Sequence, residues 1–228
     1  MKKKIISLCL VIALVATAIA GATLAYFTDY TDEAVNTFTV GNVNIELDEK
    51  DTDDSTPNEE RDTANTYEDI YPSPTVEKDP MVTVKGGSES SYVRMFVTAN
   101  VEKLEAAFPE FMDGDIFDLE NLVVDENGKC TWDKDIWACV GVVDNGDGTA
   151  TYEFRYHTTT TESDDDVALE PLFTHVTIPG FATNDDLKAL VDENGEFEIK
   201  IIAEAIQAAD FDDADDAWGN FVREATKQ

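Results

Sequence analysis

Few side chains in this sequence have the chemistry for catalysis or metal binding. His157 and His175 are its two histidines. They fall in different predicted strands, and neither sits in an H-E-x-x-H helix that would hold zinc beside a general base. Both read as ordinary strand residues. No glycine-rich phosphate loop follows a strand and no G-x-S-x-G elbow is present, so no catalytic residue is assigned. Asp144 and Asp147 in DNGDG share the opening of a calcium loop, but the later ligands and the closing glutamate are missing. A hairpin turn is the better reading. The aspartate runs at 164–166 and 212–216 could collect Ca2+ loosely; no specific metal site and no cofactor are expected. Cys130 and Cys139 flank Asp133, Lys134 and Asp135, whose turn would set the two thiols opposite each other on a hairpin. A disulfide is expected, with free thiols as the alternative. A metal site ranks below both, because two sulfurs need two further ligands that no local histidine supplies.

The compartment decides how those cysteines are read. Lys2, Lys3 and Lys4 precede an apolar run from Ile5 to Ile19, and Gly21, Ala22, Thr23 and Ala25 offer the small residues that a signal peptidase needs. Residues 1–25 are expected to be an export signal cut after Ala25, with Thr23 and Ala25 marking the cleavage site. The run is also long enough to span a bilayer, but no basic stop-transfer cluster follows it. Membrane contact is therefore expected only through an uncleaved signal. In an exported chain a cysteine pair favours a disulfide.

The whole chain has 16 basic and 49 acidic side chains, a net charge of -33. Loss of the three leader lysines leaves 13 against 49, a net charge of -36 on 203 residues. Nucleic acid and anionic membranes are excluded as natural partners. The mature length suits one domain with one sizeable core.

The elements that must position any site read mainly as β. In SYVRMFVTAN, Val93, Met95, Val97 and Ala99 face one way and Tyr92, Arg94, Phe96 and Thr98 the other, as in a central strand. Tyr152, Phe154 and Tyr156 share a face, as do Leu172, Thr174, Val176 and Ile178, and again Phe197, Ile199, Ile201, Ala203 and Ala205. Turn signals at 125–128, 144–148 and 192–195 separate the runs. Short helices are predicted at VEKLEAAF, at TNDDLKAL with Thr183 and Asp186 as a capping box, and at the C-terminus. There Phe211, Ala214, Trp218 and Phe221 recur at helical spacing. Residues 48–72 are acidic and poor in apolar side chains. They are expected to form a flexible loop outside the core, one that lets the preceding strand move independently; residues 73–228 form the remainder of the domain.

Residues 26–47 pose a separate problem. Phe38 and Val40 are apolar at even positions, whereas Val43, Ile45 and Leu47 take over at odd ones. A period-two strand tolerates such a switch only through a turn or bulge. Gly41 is the expected hinge between an inner strand, 43–47, and an exposed outer segment, 26–40. An open edge of that kind is a liability unless it pairs with another copy.

The stretch GATLAYFTDYTDEAVNTFTVGNVNIEL resembles the amino terminus of the TasA and camelysin family. SSYVRMFVTANV, LFTHVTIPG and FEIKIIAEAIQAADFDDADDAWGNF extend the resemblance over most of the mature chain, its two ends being the specific parts. The resemblance implies export from a Gram-positive bacterium through a SipW-type signal peptidase, and placement at the cell surface or in the biofilm matrix. It implies a jelly-roll-like β-sandwich whose freed N-terminal strand enters the sheet of the next subunit and so builds a homopolymeric fibre. Tyr26, Phe27, Val35, Phe38 and Val40 would be the donor-strand anchors. Camelysin members also imply a surface metalloprotease, which the missing zinc motif argues against. A monomeric cation-binding surface protein is the third reading.

Overall fold

The computed structural model describes residues 42–52, 61–63, 71–72, 75–191, 197–209 and 211–221, all within one compact unit spanning Phe38–Gln228. The chain there is mainly β with few, short helices, as its alternating runs predict.

One four-stranded sheet contains β1 (Ile45–Lys50), β2 (Arg61–Asp62), β4 (Met81–Val84) and β10 (Val167–Ala168), in the order β10-β4-β1-β2. The other contains β5 (Ser91–Ala99), β8 (Trp137–Asp144), β9 (Ala150–Tyr156) and β12 (Ile199–Gln207), in the order β12-β5-β9-β8. All its pairings are antiparallel. Smaller pairs join β3 (Thr75–Glu77) to β11 (His175–Thr177), and β6 (Met112–Asp113) to β7 (Ile116–Phe117).

The core follows from the period-two pattern. Val93, Met95, Val97 and Ala99 of β5 are buried beside Tyr152 and Phe154 of β9, and the same cluster takes in Val82 and Val84 of β4. Helix α1 (Val101–Ala107) adds Leu104, and the chain just beyond it adds Phe108; its N-terminus is capped by Asn100, which accepts from the Lys103 N–H. Helix α2 (Asn184–Leu190) carries the expected capping box: the Thr183 hydroxyl accepts from the Asp186 N–H, and the Asp186 carboxylate accepts from the Thr183 N–H. Helix α3 (Ala214–Asn220) is the predicted C-terminal amphipathic helix. Its Ala217 and Trp218 form a second, smaller cluster with Ile206, flanked by Tyr92, Phe211 and Phe221.

The acidic segment departs from the expectation of a loop that leaves β1 free. β1 runs on to Lys50, and Arg61 pairs back across from it. The Arg61 guanidinium bonds both Asp48 and Asp79, while Lys78 closes 2.6 Å on the buried Glu49. One arginine neutralising two carboxylates pins the end of β1, a contact that acidic composition hides.

Gly86 tests how tightly the chain closes after β4. A Cβ there would lie 2.2 Å from the backbone carbonyl oxygen of Asp164, which cannot swing away as a side-chain tip could. Gly86→Ala is expected to cost about 2 kcal/mol as local overpacking. Differential scanning calorimetry should then show a melting temperature lower by about 4–8 °C; an unchanged value would mean the 164–166 loop yields freely.

Candidate functional site

The donor anchors Tyr26, Phe27, Val35, Phe38 and Val40, the hinge Gly41 and the cleavage residues Thr23 and Ala25 lie outside the described residues. The first described residue, Asn42, is held through its backbone carbonyl and its side chain. Its carbonyl accepts from the Glu89 N–H at 2.9 Å, and its side-chain amide donates to the Gly87 carbonyl at 2.9 Å. Val43 is 5% exposed and belongs to the main core. β1 then pairs with β4 along Ile45–Asp48 and with β2 at Glu49 and Lys50. The inner strand predicted at 43–47 is thus present as β1, shifted to Ile45–Lys50.

At the far end of the other sheet, β8 is an edge. Its register with β9 breaks between Cys139 and Gly141, leaving Val140 as the bulged residue. Trp137 anchors the strand in the core, whereas Val140 and Val143 are 48% and 63% exposed. No alternation of apolar and polar residues marks this strand in the sequence. Both faces of an edge strand can meet solvent, so its residues do not alternate; the absence of charge in WACVGVV was the available signal.

The cysteines depart from the expected bridge. Cys130 and Cys139 are free thiols, the first half-buried and the second exposed. The turn at Asp133 does form, with the Ile136 and Trp137 N–H groups donating to its carbonyl. It does not pair the flanking cysteines as a hairpin would. Cys130 bridges to Val124, and Cys139 lies in β8 opposite Phe154. Trp132 directs its Nε1–H to the Trp137 carbonyl at 2.6 Å and packs edge-on against Phe154.

The remaining candidates have protein partners. His175 Nδ1 lies 2.8 Å from the Thr174 hydroxyl in β11, whereas His157 follows β9 and stacks beside Tyr156. Asp144 accepts from the Gly146 N–H and Asp147 from Thr149, closing the β8–β9 turn as expected of a hairpin. The Thr149 hydroxyl and N–H hold the Asp147 carboxyl below its ordinary range. Asp166 is lowered by the Lys85 ammonium and then by the Gly86 N–H. Among the described residues no group of three His, Cys, Asp or Glu side chains could hold a metal ion, and no helix is long and apolar enough to cross a membrane.

A buried charge cluster lies beneath α3. Arg94 of β5 donates to Glu204 of β12 from Nε at 2.9 Å and from Nη2 at 2.7 Å, and to Glu153 of β9 from Nη1 at 3.3 Å. Its guanidinium carbon sits 4.0 Å from the Trp218 ring centroid and 4.7 Å from that of Phe96. This arrangement fastens the C-terminal helix to the sheet. Comparison of the chain with protein-family models, with curated proteins and with solved structures finds no match.

Proposed function

We propose that this chain is an exported structural protein that assembles head-to-tail into extracellular fibres, each copy lending its N-terminal segment as a strand to the next. The reading takes the leader to be cut after Ala25 by a SipW-type peptidase, which frees residues 26–40. It takes the mainly β unit to be a jelly-roll-like sandwich whose partner is another copy of itself. Backbone hydrogen bonds would supply the affinity, and alternate side chains from Tyr26 to Val40 the register.

The root of the segment carries this reading. A strand given to a neighbour transmits load only if its own end is fixed. Asn42 is bonded at both its carbonyl and its side chain, Val43 is buried, and β1 is paired with β4 along Ile45–Asp48 and held at Asp48 by Arg61. The segment upstream of Asn42 therefore starts from a rigid point. Its Phe38 and Val40 alternate with threonines, a pattern suited to an extended strand with one apolar face.

Electron microscopy of the chain beginning at Tyr26, beside one beginning at Gly41, tests the reading. Filaments are expected from the first and none from the second. Filaments from both would remove the donor role, and filaments from neither, across pH, salt and Ca2+, would favour a monomeric surface protein.

A further inference from the structure

Phe181 is 56% exposed, although Ile178 and Ala182, which bracket its turn, are buried. The turn is closed by the Ala182 N–H, which donates to the Pro179 carbonyl at 2.9 Å, and the capping box of α2 begins at the next residue, Thr183. The ring is therefore presented from a fixed point. On its inner side it meets Phe108 and Phe111 edge-on, with centroids 6.3 and 5.8 Å away, and Phe111 in turn meets the buried Phe117 at 6.2 Å. A stack of aromatic rings thus runs outward from the core and ends in one that faces solvent.

The chain beside this ring supplies carboxylates without bases. From Glu105 to Glu126 there are eight acidic residues and no lysine or arginine. Asp118 and Asp125 accept from backbone N–H groups, and Glu120 pairs with Lys134. Glu110, Asp113 and Asp115 are exposed, and among the described residues none of the three forms an ion pair. Glu110 adjoins Phe111, while Asp113 and Asp115 belong to the β6–β7 hairpin whose Phe117 packs on that ring.

We infer that this face docks a basic amphipathic peptide segment of another protein, with an apolar side chain against Phe181 and lysines or arginines beside Glu110, Asp113 and Asp115. Charge selects the occupant. A second copy brings a net charge of -33 against these carboxylates and is repelled, whereas a cationic side chain is attracted by the carboxylates and by the face of the ring. Rigidity favours it as well. An aromatic anchor already fixed by its turn and by Phe111 loses little freedom on binding. The inference does not depend on the assembly reading, since its partner is a different protein.

Fluorescence anisotropy of a dye-labelled peptide of alternating leucine and lysine, titrated with the chain beginning at Tyr26, tests the docking face. Binding that weakens with salt is expected. Phe181→Ser should weaken it about tenfold, as loss of a central aromatic anchor does. Phe181→Leu keeps apolar packing on Phe111, guards against unfolding, and should weaken it about threefold through loss of the ring face. Glu110→Gln together with Asp113→Asn should also cost about threefold. Two controls remove the same kinds of group elsewhere: Val143→Ser, an exposed apolar side chain on β8, and Asp164→Asn with Asp165→Asn. Both should leave binding unchanged. Losses from the controls equal to those at Phe181 and Glu110 would reduce the attraction to the acidic surface at large and overturn the site. Equal affinity for a serine–lysine peptide would overturn the apolar contact. Sedimentation of the chain alone showing dimers that Phe181→Ser abolishes would make a second copy the occupant and overturn the basic partner.

Discussion

Trp137→Ala is expected to destabilise the chain by about 3–5 kcal/mol, the usual range for emptying a large aromatic site in a core. Trp137 is fully buried, its Nε1 donates to the Glu170 carbonyl at 2.9 Å, and its ring meets Tyr156 edge-on with centroids 5.0 Å apart. It is also the one fully buried side chain of β8, where most of the others are exposed. Alanine would therefore leave a cavity, strand a carbonyl acceptor and loosen the edge strand from its own sheet. Against a typical domain stability of about 5–15 kcal/mol, that is a large fraction. Trp137→Phe keeps much of the packing and loses the hydrogen bond, so its cost should be nearer 1–2 kcal/mol. Urea titration of both variants checks the ordering. A loss below about 1 kcal/mol for alanine would mean that β8 is held by its ladder to β9 and that Trp137 is incidental to it.

The parts of the fold that were legible in the sequence are those in which local pattern and burial agree. β5 and β9 alternate because each buries one face fully, so Val93–Ala99 and Tyr152–Phe154 could be assigned from period alone. The α2 capping box and the Asp144–Gly148 turn were readable for a similar reason: their bonds join residues a few positions apart. β8 was not readable, because an edge strand buries neither face along most of its length and the two cysteines beside it suggested a hairpin of their own. Arg61 was hidden by its setting, since an acidic, polar segment gives no sign that one base within it will join Asp48 and Asp79. The burial of Arg94 could not be inferred locally. Its face of β5 reads as half-polar, and Trp218, which covers it, lies more than a hundred positions away in the sequence. The candidate site divides in the same way: the proposed donor segment is a sequence pattern, whereas the anchoring of Asn42 and Val43 emerges only from the fold.

Arg94→Ala is the second substitution with a large expected effect, about 3–5 kcal/mol, because it deletes one partner of a buried ionic cluster: Glu204 loses both of its bonds from Arg94, while Glu153 keeps its bond from Arg155 at 2.7 Å. Arg94 and Glu204 are each 8% exposed, so water cannot replace the lost bonds without opening the structure. The same guanidinium stacks on Trp218, which links the charge cluster to the second, smaller core under α3. That small core is poorly supplied with other ties. Trp218 Nε1 is buried without a hydrogen-bond partner, a cost of about 1–3 kcal/mol that stacking on Arg94 must offset. The Arg155–Asp215 pair adds little, because Asp215 is exposed to solvent. Loss of Arg94 should therefore act at two levels: a lower urea midpoint for the whole chain, and earlier hydrogen exchange at Ala217 and Trp218 than in the sheet. Arg94→Lys separates charge from shape. An ammonium keeps the positive charge but cannot fork between Glu204 and Glu153 while lying flat on an indole, so its stability should fall between the parent and the alanine variant. Equal stability for lysine and arginine would assign the cluster to charge alone. Simultaneous exchange of α3 and the sheet in the alanine variant would show that the C-terminal helix unfolds only with the domain, and that Arg94 holds the sheet rather than the helix.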